Sequence, residues 1–450
     1  MSADSLPPPG TWKPARAVAN ALVSPIQRIL AVEAASGILL MAATVVALVL
    51  ANSRWHASFE ALWHTPIGFT IGTATFERSL HFWINDGLMT IFFLVVGLEI
   101  RREVFEGELQ TLRRAALPLI AALGGMLVPA AVYGAINAGK VGAAGWAIPM
   151  ATDIAFAVGV LTLLGSRVPN QLRVLLLALA VIDDIGAILV IAAFYSGGIE
   201  VYGLALAALG IGGVLAMRAA AVRATALYLV PGVVVWAGLY IAGIHPTLAG
   251  VVLGLLTPVM PWFGPSGFAA TTMTQLEGID DNGREGLLGR LDAINAARKE
   301  AVSPVERLIH TLHPWVAFGV MPVFALANAG VSFGGAQLSG DGLWIFVGVI
   351  AGLALGKPLG IAGASLLATR VGIATRPAEL RTSGIALVGV VGGIGFTMSL
   401  FIAQLAFKDP VLLDTAKLGI LVGSAIAMVV GLGFGWLALR AIPTREAPDR

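Results

Sequence analysis

Apolar runs of about 18 residues or more recur from residue 31 to residue 440, each long enough to cross a bilayer. Inside hydrocarbon a segment must satisfy its own backbone N–H and C=O groups, as an α-helix does. The chain is 57% hydrophobic and 12% charged, where a soluble protein carries about a quarter charged residues. It therefore reads as an all-α integral membrane protein. About twelve spans are expected, approximately at 31–51, 80–99, 115–136, 145–165, 174–195, 201–217, 224–241, 243–261, 313–333, 343–368, 382–406 and 411–439. Residues 29–440 form one transmembrane domain between a disordered N-terminal tail, 1–28, that carries LPPPG, and a short C-terminal tail, 441–450. With no cysteine in the chain, disulfides, thiol catalysis and thiolate metal sites are excluded.

Two connections are long. Residues 52–79 alternate polar and apolar in FTIGTATFERSL, which predicts a short hairpin at the membrane surface. Residues 262–312 read as a long soluble loop with an amphipathic helix in EGLLGRLDAINAARKEAV. Basic residues orient the whole. Loops of one parity, with both tails, hold 22 of the 28 lysines and arginines, among them Arg101, Arg102, Arg113, Arg114, Arg298 and Lys299. Positive residues favour the cytoplasm, so both termini and the 262–312 loop are placed there, with 52–79 on the far side.

Against this background LALAVIDDIGAILVIAAFY, residues 177–195, is anomalous, because Asp183 and Asp184 lie deep in an apolar helix. Each aspartate at a helix centre costs about 2.5–3.5 kcal/mol to insert. Asp153 in IPMATDIAFAVGVL and Lys357 in IAGLALGKPLGIAG are also deep in apolar runs. A buried salt bridge that only holds helices together accounts for one acid and one base. It leaves two acids unmatched, and intramembrane ionisable residues mark ion or proton pathways. Neighbouring residues point about 100° apart on a helix, so one aspartate can face Lys357 while its neighbour faces a cavity. A site that takes either a cation or protons is the minimal machine for exchange. Hard oxygen ligands suit Na⁺ or Li⁺, with Thr152 and backbone carbonyls available to complete the shell.

Glycine and proline add a second signal. The fourth span carries Pro149 just before Ala151, Thr152 and Asp153, and the eleventh carries VGVVGGIGFTM. Each is the middle member of a three-span set, 3–5 and 10–12, and the two sets run in opposite directions. Matched interruptions of this kind predict inverted repeats with two broken helices crossing near the midplane. Broken helices leave dipole ends inside the membrane, and Asp153 and Lys357 carry the signs that offset them.

These residues together resemble the NhaA family of bacterial sodium/proton antiporters. The likeness runs from residue 30 to 440 through FWINDGLMTIFFLVVGLEIRRE, ATDIAFAVGVL, LALAVIDDIGAI, GIHPTLAG, LHPWVAFGVMPVFALANAGV, GKPLGI and GIGFTMSLFIA. The resemblance implies an ion site at Asp184, Asp183 paired with Lys357, and the Thr-Asp of the broken helix at Thr152 and Asp153. It implies a pH-regulatory role for Glu99 and Glu103 at a cytoplasmic funnel, and for His245. It also implies a homodimer formed through residues 52–79 and a place in the bacterial cytoplasmic (inner) membrane. The expected activity is electrogenic, pH-regulated export of Na⁺ or Li⁺ against H⁺ by alternating access. No cofactor, enzyme activity or nucleic-acid partner is expected, and the lipid bilayer is the surroundings. Two departures from the family pattern bear on pH sensing. The loop before LHPW is longer here, and Glu306 and Ile309 stand where the pattern has a lysine and a glutamate.

Other features are weaker. Asp86 suits a pathway or a helix terminus equally, and His245 in GIHP suits a helix end better than an ion ligand. His310 and His313 have no metal-ligand spacing to other residues. GLGFGW near residue 433 has no strand before it and is helix packing. Two alternatives come from other functional classes. An intramembrane aspartyl protease also buries two aspartates, but on separate helices in Tyr-Asp and Gly-x-Gly-Asp contexts; here the pair is adjacent. A cation channel builds selectivity from carbonyl or acidic rings, often on a symmetry axis. An internal lysine beside the acids suits a carrier better.

Overall fold

A computed structural model describes residues 33–440 apart from 73, 199, 262, 278–282, 378 and 379. The tails expected at 1–28 and 441–450 lie outside the described residues. Seven continuous helices are long and apolar enough to cross a membrane: Leu80–Glu106, Leu112–Asn137, Asn170–Phe194, Val201–Ala219, Pro304–Asn328, Gly340–Val371 and Pro410–Leu439. Three further pairs qualify if each bent pair is one span, bent by 114° after Ala51, 49° after Met150 and 45° after Gly392. The number of spans is thus seven to ten among the described residues, by length and composition. Two expected spans fall short of that measure. Residues 224–241 contain the helix Leu229–Ile241, and 243–261 only the nine-residue Leu248–Leu256. Nine residues rise about 14 Å, under half a bilayer core. The cause is local: Gly243 sits at φ 75° and Pro246 follows, so GIHP cannot continue a helix.

The expected loop 262–312 is more ordered than its composition suggests. It contains helices Pro265–Glu277 and Gly283–Ala301, and its last residues already belong to Pro304–Asn328. That helix begins where Ser303 accepts a hydrogen bond from Glu306 N–H at 3.1 Å and Pro304 takes the first helical position. Between the first two spans, His56–His64 is followed by antiparallel strands Pro66–Ile71 and Ala74–Ser79, with Phe69 opposite Phe76. Gly72 at φ 63° turns the hairpin. Arg78 pins it to the bundle by donating to Tyr240 Oη at 2.9 and 2.6 Å.

Three turns of the spanning helices are widened into π geometry, at Trp83–Leu88, Val316–Val320 and Gly352–Gly356. Pro322 and Pro358 follow two of them and lack the N–H that an α-helix would direct to residues 318 and 354. The last of these turns directly precedes Lys357. Gly124 and Gly360 let Leu112–Asn137 and Gly340–Val371 approach until a Cβ on either would run into the other's carbonyl. The lysine is thereby carried into the middle of the bundle.

Candidate ion site

The two breaks at 151–153 and 393–395 lie against each other. Asp153 N–H donates to Ile394 C=O at 2.7 Å, and a Cβ on Gly395 would stand 2.9 Å from Ala151 O. Only glycine permits that approach. Helices Ile154–Leu163 and Phe396–Ala406 both start at this crossing, so two sets of unpaired N–H groups point into it.

Asp153 answers both. Its Oδ1 accepts from Phe156 N–H at 3.1 Å, while Oδ2 accepts from Thr397 N–H at 3.1 Å and from the Thr397 hydroxyl. One carboxylate therefore caps two half-helices and offsets two positive dipole ends. Both oxygens of Asp153 are thus engaged at the crossing, and it makes no hydrogen bond to Asp183 or Asp184.

Thr152 turns the other way. Its hydroxyl lies 2.5 Å from Asp183 Oδ2 and 3.1 Å from Gly392 O, and its single proton serves one of them. Lys357 Nζ donates to the same hydroxyl oxygen at 2.7 Å and to Asp183 Oδ2 in direct contact. Asp183 and Lys357 are fully buried. Asp183 Oδ2 is thus held twice, whereas Asp183 Oδ1 is buried with no hydrogen-bond partner among the described residues. The nearby Gly392 carbonyl and its neighbours end helix Thr382–Gly392, a negative dipole end beside the ammonium.

Asp184 stands one residue on, 2% exposed. No hydrogen bond joins its carboxylate to another described residue. Asp183, Glu99 and Asp153 all bear on it electrostatically, with Lys357 as the countercharge. Three acids and one base leave a surplus of negative charge around an unbonded carboxylate. A proton or a small cation relieves that surplus, and the orphaned Asp183 Oδ1 faces the same need. Among the described residues no third His, Asp or Glu joins the pair in metal-ligand geometry. A cation held here completes its shell from backbone carbonyls or water, as Na⁺ and Li⁺ accept.

The remaining candidates fall into two places. Glu99 and Glu103 sit one turn apart on Leu80–Glu106, both half-buried, with Arg102 acting on each. Glu99 is near enough to act electrostatically on Asp184, and Glu103 lies one turn nearer the arginine-rich end of the helix. His245 is elsewhere. Its Nε2 lies 3.6 Å from Asp86 Oδ1, its Nδ1 2.8 Å from Thr247 Oγ1, and its ring packs on Phe401. The structure thus gives Asp86 a partner that spacing in the sequence could not, since 159 positions separate the two. Thr397 is a site residue that sequence reading missed, although GFT after a glycine run mirrors ATD in the other broken helix.

Residues 27–434 match the family described as Na⁺/H⁺ antiporter 1. The chain is 56% identical to Na⁺/H⁺ antiporter NhaA 2 of Sorangium cellulosum, over 96% of this chain and 94% of that protein. It is 55% identical to Na⁺/H⁺ antiporter NhaA 2 of Myxococcus xanthus, over 96% and 93%. Against Na⁺/H⁺ antiporter NhaA of Bartonella tribocorum it is 47% identical over 94% of each.

Proposed function

This chain belongs to the NhaA family of Na⁺/H⁺ antiporters, and we propose that it exports Na⁺ or Li⁺ in electrogenic exchange for protons around Asp183 and Asp184. The observation that carries this is the unequal treatment of two adjacent carboxylates. Asp183 is neutralised by Lys357 and hydrogen-bonded to Thr152, while Asp184 is buried with no hydrogen-bond partner among the described residues. A carboxylate in that position is unstable alone and stable with either of two ligands, which is the competition that exchange requires.

Around this site we propose twelve spans, with 3–5 and 10–12 as inverted repeats that rock together against the rest. Matched breaks at 151–153 and 393–395 support that arrangement. Both termini lie in the cytoplasm and the protein resides in the inner membrane, in keeping with the arginine-rich loops. Residues 52–79 join two copies in a homodimer, and the exposed Ile67 and Phe69 of their hairpin support that. Glu99 and Glu103 tune the pH response from the cytoplasmic mouth, and His245 from its contact with Asp86.

Each turn of the cycle follows from the charges. Na⁺ arriving past Glu99 displaces one proton from Asp184 and one from Asp183, whose Oδ1 it then engages. The six-span unit then rocks and presents the same site to the other side, where Na⁺ leaves and protons take its place. Thr152 and Lys357 hold Asp183 while it is ionised, Asp183 leaves Lys357 when it takes its own proton, and Asp153 holds the crossing. The deciding experiment adds Na⁺, Li⁺ and K⁺ in turn to everted vesicles that carry a proton-gradient dye. Dequenching by Na⁺ and Li⁺ but not K⁺ is expected. Flux that runs without a counter-gradient and does not saturate would mean a channel.

A further inference from the structure

Beyond the ion site, three amide side chains close into a ring at the membrane face opposite the arginine-rich loops. Asn328 Nδ2–H donates to Asn85 Oδ1 at 2.8 Å. Asn85 Nδ2–H donates to Gln404 Oε1 at 2.7 Å, and Gln404 Nε2–H donates back to Asn328 Oδ1. His81 Nε2 lies 2.9 Å from Asn328 Oδ1, and Asn328 Nδ2 also reaches Phe324 O at 2.9 Å. Asn328 is fully buried and Asn85 nearly so. Buried amides are tolerated only with partners, and here each supplies the next.

The ring joins elements that the transport cycle must separate. Gln404 is on Phe396–Ala406, the second half of the broken eleventh span. Asn85 and Asn328 are on the second and ninth spans, outside the two repeats. Along one face of Phe396–Ala406, Thr397 holds Asp153 at the crossing, Phe401 follows one turn on, and Gln404 lies three residues further. Phe401 packs on Phe93 and Phe324 of the same outer spans, with ring centroids 5.5 and 6.3 Å away. From the ion site outward there is first an aromatic layer and then the amide ring, each with one side on either unit.

We propose that Phe401 and the Asn85–Asn328–Gln404 ring form the extracytoplasmic gate, shut here and opened once in every cycle. This inference rests on the antiport reading and adds which contacts part. When the six-span unit rocks, Gln404 leaves and the vacated amide groups of Asn85 and Asn328 must be hydrated. Opening is therefore coupled to water entering the extracytoplasmic path. The aromatic layer keeps water from the aspartates until the ring has parted.

The chain contains no cysteine, so introduced thiols are the only ones present. Asn85→Cys/Gln404→Cys and Asn328→Cys/Gln404→Cys each place one thiol on either unit. A short, reducible bis-methanethiosulfonate reagent then ties the units together on that face. The control is Asn137→Cys/Trp344→Cys, at the same face but within spans 3 and 10 of one unit, where Asn137 Nδ2 donates to Trp344 O at 3.1 Å. Cross-linking should abolish Na⁺-driven proton movement in both gate pairs, and reductant should restore it. Exchange by the control should not change on cross-linking. Activity before cross-linking shows that each variant folds, and the second gate pair guards against a failure at Asn85→Cys or Asn328→Cys. Continued exchange by a gate pair whose cross-link is confirmed by mass would overturn the gate. Wild-type protein without Na⁺-driven proton movement would instead sink the antiport reading itself.

Discussion

Lys357 Nζ and Asp183 Oδ2 are in direct contact at the centre of the bundle, and neither side chain has any exposure to solvent. Such a pair balances desolvation against attraction and adds little net stability while intact. Its halves share one further partner, the Thr152 hydroxyl, which lies against Asp183 Oδ2 and accepts from the Lys357 ammonium but cannot stand in for a charge.

Removing the lysine therefore strands a carboxylate. Lys357→Ala should lower stability by about 3–5 kcal/mol, the usual cost of leaving one buried partner uncompensated. Thermal unfolding in detergent would show it. Asp183→Asn/Lys357→Met, which removes both charges, should recover most of the loss. A melting curve for Lys357→Ala that matches wild type would mean the pair contributes no such compensation.

Asp184 makes the opposite case. Its carboxylate has no hydrogen-bond partner among the described residues to lose, so Asp184→Asn should fold with a melting temperature at or above that of wild type. Exchange should nevertheless vanish, because an amide neither sheds a proton nor supplies an anionic ligand. Paired measurements of melting and of Na⁺-driven dequenching separate the two effects. Near wild-type dequenching would move the ion site elsewhere.

The core of this site was legible because charge in an apolar run is costly and therefore conspicuous. Asp183, Asp184, Asp153 and Lys357 stand out on hydropathy alone, and Pro149 with Gly393 and Gly395 marks the breaks. Which carboxylate meets Lys357 was not legible from spacing, since it depends on how the π turn before Lys357 directs the side chain. Uncharged polar groups gave less still. Asn85, Asn328 and Gln404 are separated by 243 and 76 positions, and an amide in an apolar run is too cheap to stand out. Helix ends misled for a related reason. The first turns of Pro304–Asn328 are polar, so a hydropathy criterion starts that span at 313 rather than 304.

Exchange should be electrogenic. Two carboxylates can take two protons where one Na⁺ binds, so each cycle carries net positive charge inward. An inside-negative potential then assists Na⁺ export by about 2.3 kcal/mol per net charge at 100 mV. Valinomycin with potassium, which collapses the potential, should slow Na⁺ export at a fixed pH difference. A rate indifferent to potential would indicate one-for-one exchange, with Asp183 paired to Lys357 throughout.

Activity should rise from mildly acidic to alkaline pH, for a reason already present in the site. In the proposed cycle protons and Na⁺ compete for Asp184 and Oδ1 of Asp183, so lowering the cytoplasmic pH should suppress Na⁺ binding by mass action. Competition alone gives a profile that moves to lower pH as Na⁺ rises and flattens when Na⁺ saturates. A separate sensor leaves a component that saturating Na⁺ cannot move. Glu99 and Glu103 are placed to provide one, because Glu99 acts electrostatically on Asp184 and Glu103 lies one turn nearer the arginine-rich face. Glu99→Gln/Glu103→Gln removes both charges without changing side-chain shape. The Na⁺-insensitive part of the pH profile should shrink in this variant while the competitive part remains. Profiles at several Na⁺ concentrations, for wild type and variant, distinguish the two. Identical profiles for both proteins would leave competition at the aspartates as the whole of the pH response.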